Sequence, residues 1–203
     1  MEPRVQLYAA PIRNKTVKCE VSVLDVFNYI THTSLSPQMA QLVRSGVRLS
    51  GPAQGIVEAT GTLRTITDPK LARDYKANHF SYALPSGLFG ERTDQGLLRH
   101  SSLICLDFDH LGDGLYEIRQ RLIDDPYFET ELLFTSPKGD GLKWWVEVDL
   151  ARADHRTWFN AIRRYVAETY GVQLDETCVN PSRACFLPYD KECYINPVVL
   201  ELM

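Results

Sequence analysis

The chain has 203 residues, 44% hydrophobic and 24% charged, with a net charge of −4. That is enough for one domain with a sizeable core, and the acidic balance argues against a strong non-specific DNA binder. No apolar run approaches the roughly 20 residues that span a bilayer, and the N-terminus lacks the basic and apolar regions of a signal peptide, so no membrane partner and a cytoplasmic location are expected.

Residues 4–10 alternate weakly and predict a strand. Ser22 is an N-cap candidate for a helix to about His32, with Val23, Val26, Phe27 and Ile30 on one face. Ser36-Pro37 opens a second helix that ends at Gly46, and Asp68-Pro69 opens a third through about Asn78. Leu84-Pro85-Ser86-Gly87 reads as a turn. From there the pattern is more regular. A strand covers 103–108, a helix about 114–124 ends before Pro126, and a strand covers 131–136. Pro137-Lys138-Gly139-Asp140-Gly141 is a tight loop before a strand at 142–148 around Trp144-Trp145. A long helix at about 154–170 carries Trp158, Ile162 and Val166 on one stripe and stops at Gly171. Strands at 184–188 and 198–202 complete the expectation. The order from 103 onward is β-α-β-β-α-β, the split pattern of ferredoxin-like, RRM-like units. The fold class is therefore α+β, a single domain over 1–203: an α/β extension at 1–100 packed on a sheet unit at 101–203. Residues 1–100 carry 12 Lys+Arg against 8 Asp+Glu (+4), which leaves 10 against 18 (−8) for the remainder.

The five cysteines are Cys19, Cys105, Cys178, Cys185 and Cys193. An odd number without a Cys-x-x-Cys pair fits reduced thiols. The last three cluster, but their spacing matches no common zinc pattern.

Asp107 and Asp109 end the apolar run Leu103-Ile104-Cys105-Leu106. Alternate strand residues share a face, with Cα atoms about 7 Å apart, and paired carboxylates there can hold Mg²⁺ or Mn²⁺ beside a phosphate. Solvated acids at a strand end are the plainer alternative. Gly139 and Gly141 would let the backbone approach a ligand, or simply make a turn, while Lys143 offers a cation at the same end of the sheet. Asp175 is a possible third carboxylate and Arg183 a bidentate phosphate donor, unless both are solvated loop residues. Trp145 shares a strand face with Lys143 and is a candidate for base stacking, with Trp144 facing the other way. His79, His100 and His110 are weaker candidates as ligands or acid/base groups, and Arg163-Arg164 reads as a solvated helix face.

Taken in order, Asp-x-Asp, Gly-x-Gly-x-Lys and an apolar residue plus Asp resemble the archaeo-eukaryotic primase (primase-polymerase) superfamily. Within it the chain looks most like the VirE N-terminal-type domains of bacterial mobile elements. The resemblance rests on Leu103–Leu111, Thr135–Trp145 and Asp175–Asp190, and extends back to Tyr75-Lys76 and Leu84–Phe89. It implies a template-directed nucleotidyltransferase. Asp107, Asp109 and Asp175 would be catalytic and bind two Mg²⁺ or Mn²⁺ ions. Lys143, Arg183, Ser136, Gly139, Gly141 and Lys76 would hold the nucleotide. The implied partners are nucleoside triphosphates, a single-stranded template and a helicase on a separate chain or fused downstream. In that family the hairpin position held here by Lys143 is usually His, a departure that bears on catalysis more than on fold. A catalytically inactive module binding single-stranded DNA or a replication partner is the second reading, and a metal-dependent nuclease the third.

Overall fold

Local signals set most of the first elements in the computed structural model, which describes residues 2–50 and 55–201. β1 (Arg4–Tyr8) and β2 (Lys18–Ser22) form a hairpin. Ser22 then starts α1 (Val23–Ile30) with a reciprocal cap: Asp25 N donates to Ser22 Oγ (3.1 Å) and Ser22 N to Asp25 Oδ2 (2.9 Å). Ser36 and Asp68 cap α2 (Pro37–Arg44) and α4 (Pro69–His79) by accepting from Met39 N (3.2 Å) and Leu71 N (2.8 Å). Each of these helices has proline in its first turn, where the missing N–H has no intrahelical partner to lose. α3 (Ile56–Thr65) lies between them. β3 (Tyr82–Leu84), β4 (Gly87–Phe89) and β5 (Leu97–His100) follow. Neither β2, α3 nor the β4–β5 hairpin is predicted from the sequence pattern.

The second half contains β6 (Leu103–Phe108), α5 (Leu115–Ile123), β7 (Thr130–Thr135), β8 (Leu142–Glu147), α6 (His155–Tyr170), β9 (Cys185–Phe186), β10 (Tyr194–Ile195) and α7 (Pro197–Glu201). Gly171 ends α6 in the left-handed region (φ 69°), as its position predicted.

The molecule is α+β with two four-stranded antiparallel sheets, β2-β1-β3-β9 and β10-β7-β8-β6. Two expectations are corrected here. Only Cys185–Phe186 of the strand expected at 184–188 pairs, and it pairs with β3 in the first sheet, not with the 103–148 strands. The strand expected at 198–202 is instead α7, as far as residue 201. Pro197 starts that helix and Asn196 caps it, accepting from Val198 N through Oδ1 (3.0 Å). The edge beside β6 carries a single bridge, Phe108 to Leu174.

The second sheet is covered on both faces. Leu103, Leu132, Phe134 and Trp145 meet Val5, Leu7 and Val21 of the first sheet and Val26 and Ile30 of α1. Ile104, Leu106, Leu133, Trp144 and Val146 meet Ile118 and Leu122 of α5 and Phe159, Ile162 and Val166 of α6. That double burial is why β6 reads as an unbroken apolar run. It also corrects the stacking role expected for Trp145: both tryptophans are 0% exposed, and neither face is open to a base.

Candidate functional site

Antiparallel register sets Asp107 directly opposite Lys143, at the end of the sheet face that looks toward β9. The two side chains form an ion pair between Lys143 Nζ and Asp107 Oδ2. Asp107 is only 9% exposed, and its Oδ1 has no hydrogen-bond partner among the described residues. Burial works against the Lys143 ammonium, but Asp107, Cys185 and Cys105 together overcome it and raise the pKa above the usual lysine value.

The Leu174 bridge brings Asp175 alongside, with Asp175 N donating to Asp107 O (3.2 Å). Cys178 Sγ then lies 3.9 Å from Asp107 Oδ2 and 3.7 Å from Asp175 Oδ2. Ligand atoms of these three residues fall within 4.8 Å of one another. Burial, then Asp107, pushes the Cys178 thiol up to about 12, so it stays protonated at neutral pH. Arg183 Nη2 pairs with Asp175 Oδ2 at 3.3 Å. Asp109 continues past the strand end and is exposed. Partial desolvation, then the Asp107 charge, raises its pKa above the ordinary carboxylate value. Lys76 reaches the same field from α4. Burial lowers its pKa first, and Lys143 and Arg183 lower it further while Asp107 and Asp109 oppose them. Its Nζ lies 5.4 Å from the Phe186 ring centroid.

Six of the nine residues expected at the site, Asp107, Asp109, Asp175, Lys143, Arg183 and Lys76, thus converge on one place. The three loop residues do other work. A Cβ on Gly141 would sit 2.0 Å from Phe108 O, so this glycine seats the hairpin against the end of β6. Gly139 adopts φ 89° and donates its N–H to Ser136 O (2.9 Å). Ser136 is buried, and its Oγ has no partner among the described residues. The loop is tied to the α3–α4 connection by Lys138 Nζ donating to Ile66 O (2.6 Å). None of the three lines the cleft beside Asp107.

That cleft is bounded by Ser86, Asp107, Lys143, His155, Cys178 and Arg183, among others, and its free volume is ≈ 10 Å³. This is room for about one water. His155 is missing from the sequence-based site. It stands at the first position of α6 after the Asp154 cap, where it reads only as a helix start. In the fold it pairs with His100, Nδ1 to Nε2, at 2.9 Å. Burial, then the neighbouring His100, lowers His155 to about 4. His110, the other histidine near the aspartates, is exposed and engages Asp140 Oδ2 at 3.1 Å.

The cleft gathers acids and cations at the ends of antiparallel strands in an α+β domain. The chain belongs to the BT4734-like, N-terminal domain family, whose model matches residues 75–195, well over half of the chain and inclusive of every charged residue above. No curated protein and no solved structure matches it. Among the described residues no helix is long and apolar enough to cross a membrane.

Proposed function

We propose that this chain is a primase-polymerase-like nucleotidyltransferase domain of the archaeo-eukaryotic primase type, closest to VirE N-terminal-type domains. It would act in the cytoplasm in DNA replication of a mobile element. The observation that carries the reading is the convergence of Asp107, Asp109 and Asp175 with Lys143, Arg183 and Lys76 at one strand end. The run β6-α5-β7-β8-α6, closed at the β6 edge by the Leu174 bridge, supports an RRM-like unit in which that bridge is the remnant of the fourth strand.

The residues fit a hard divalent ion. The Asp107 and Asp175 carboxylates lie within 4.8 Å of one another beside the Cys178 thiol, Asp109 follows just past the end of the same strand, and Asp107 Oδ1 is buried without a partner among the described residues. Asp107, Asp109 and Asp175 would hold Mg²⁺ or Mn²⁺, while the protonated Cys178 thiol is a poor ligand for either. Bound there, the ions would activate a primer hydroxyl and neutralise triphosphate charge. Lys143, Arg183 and Lys76 bind and orient the nucleoside triphosphate. Ser136, Gly139 and Gly141 support the hairpin that carries Lys143. A single-stranded template, and a helicase on another chain or fused downstream, are the partners of this activity.

One observation favours a second reading, an inactive module for single-stranded DNA or a replication partner. Lys143 already neutralises Asp107, and the cleft admits about one water, so a triphosphate requires Lys143 to swing out. Binding of labelled nucleoside triphosphate in Mn²⁺, wild type against Asp107→Asn/Asp109→Asn, separates the two. Binding lost in the variant supports the nucleotidyltransferase site. Absence of binding by the wild type, with single-stranded DNA retained, supports the inactive module.

A further inference from the structure

The histidine pair beside the cleft, His155 buried and His100 partly so, has a proton arrangement dictated by its hydrogen bonds. Ser102 N–H donates to His100 Nδ1 at 3.0 Å, so that nitrogen is an acceptor. In a neutral imidazole the other nitrogen then carries the proton, and His100 Nε2–H donates to His155 Nδ1 at 2.9 Å. His155 Nδ1 is therefore also an acceptor, and the His155 proton resides on Nε2. Both rings favour the neutral form, His100 because it is partly desolvated and His155 because it is buried and faces His100. Asp94 and Asp154 oppose this at His155 and Arg156 reinforces it.

His155 is 9% exposed and lines the cleft, yet its Nε2 has no partner among the described residues. A buried donor is costly to leave unmade. With its proton in place, Nε2 cannot ligate a metal, so what it lacks is an acceptor. Two cations, Lys143 and Arg183, line the same cleft. His155 also opens the 16-residue helix α6, whose N-terminal end favours negative charge. An anionic oxygen answers all three features.

We propose that His155, oriented by His100, donates Nε2–H to a phosphate oxygen of the nucleotide held in the Asp107–Arg183 cleft. The inference rests on the nucleotide-binding reading above and adds a neutral phosphate-contacting residue that comes from helix α6, not from the hairpin. A neutral donor binds phosphate without adding a further charge to those of Lys143, Arg183 and Lys76.

The test measures binding of labelled nucleoside triphosphate, of inorganic tripolyphosphate and of the nucleoside in Mn²⁺, with wild type, His155→Ala, His155→Gln and Asp107→Asn/Asp109→Asn. His155→Ala is expected to weaken both triphosphates about ten-fold or more and to leave the nucleoside unchanged, as befits a hydrogen bond to a charged group. His155→Gln, which can still donate, is expected to recover most of the loss. Triphosphate binding that disappears in the aspartate variant but is unchanged in His155→Ala overturns this inference alone. No triphosphate binding by the wild type overturns both it and the reading beneath it. Imidazole nitrogen NMR of the wild-type protein is independent of whether His155→Ala folds. A proton on His155 Nε2, with its resonance shifted by tripolyphosphate, supports the proposal, and a proton on Nδ1 overturns it.

Discussion

The cavity between the ends of α1, α2 and α3 and the cleft at the end of β6 are built from opposite materials. The first encloses ≈ 560 Å³ and is lined largely by apolar groups, among them Tyr29, Leu35, Val43, Val47, Leu49 and Ile56. The second has ≈ 10 Å³, yet it gathers Asp107, Lys143, His155, Cys178 and Arg183. The family match begins at Tyr75, so it contains the cleft and leaves out the cavity. Open volume offers shelter but nothing to orient or polarise a ligand, whereas the cleft concentrates charge and unpartnered polar atoms in a dry setting where each counts for more. The difference teaches that unspent hydrogen-bonding capacity, rather than open volume, is what makes the cleft the candidate site.

Substitutions on the two sides should therefore separate binding from stability. The largest effect is expected from Asp107→Asn/Asp109→Asn: loss of metal-dependent nucleotide affinity by about 100-fold or more, roughly 3 kcal/mol, with the circular dichroism spectrum retained. Unchanged affinity would remove the cleft from consideration. A second effect is on stability. His155 is lowered from 6.5 to about 4 in the folded protein, so the unfolded chain binds the extra proton first. The stability it contributes is present above about pH 6.5 and is lost as pH falls toward 4, by up to about 3 kcal/mol. Urea midpoints across that window should fall more steeply for the wild type than for His155→Gln, and parallel curves would contradict the assignment.

On the other side, Leu49→Ala enlarges the apolar cavity from a residue 6% exposed. It should lower stability by about 2 kcal/mol in urea while leaving nucleotide affinity untouched. A parallel loss of affinity would mean that the two regions are coupled. The smallest effect is expected from Lys143→Ala. It removes a phosphate contact but also frees Asp107, so triphosphate affinity should fall about ten-fold while nucleoside affinity holds. Equal losses for both ligands would end its phosphate role.

Much of this molecule is legible along the chain because the signals are local. Ser22, Ser36 and Asp68 cap helices as their chemistry requires, and Gly171 stops α6. The apolar run of β6 marked Asp107 at its end, with Asp109 just past the strand rather than on its face, and an apolar residue plus Asp marked Asp175. What went unread depended on partners distant in sequence. Trp145 looked half-available because a single strand cannot reveal that a second sheet covers it. Cys185–Phe186 carries no mark of which sheet it will join, and its partner, β3, lies about a hundred residues upstream. The short strand Tyr194–Ile195 went unread and helix α7 was read as a strand, because so few apolar residues fit either period.

By itself, then, the sequence determined where α1, α2, α4, α5 and α6 begin and end, which strand carries the acids, and which charges stand near them in chain order. Only the tertiary structure decided that Asp107 pairs with Lys143, that Trp145 is core, and that His100 and His155 form one unit beside the cleft. Caps, turns and periodicity act over a few residues and are written locally. Burial, register and a shared proton arise from long-range packing, which a linear pattern does not encode.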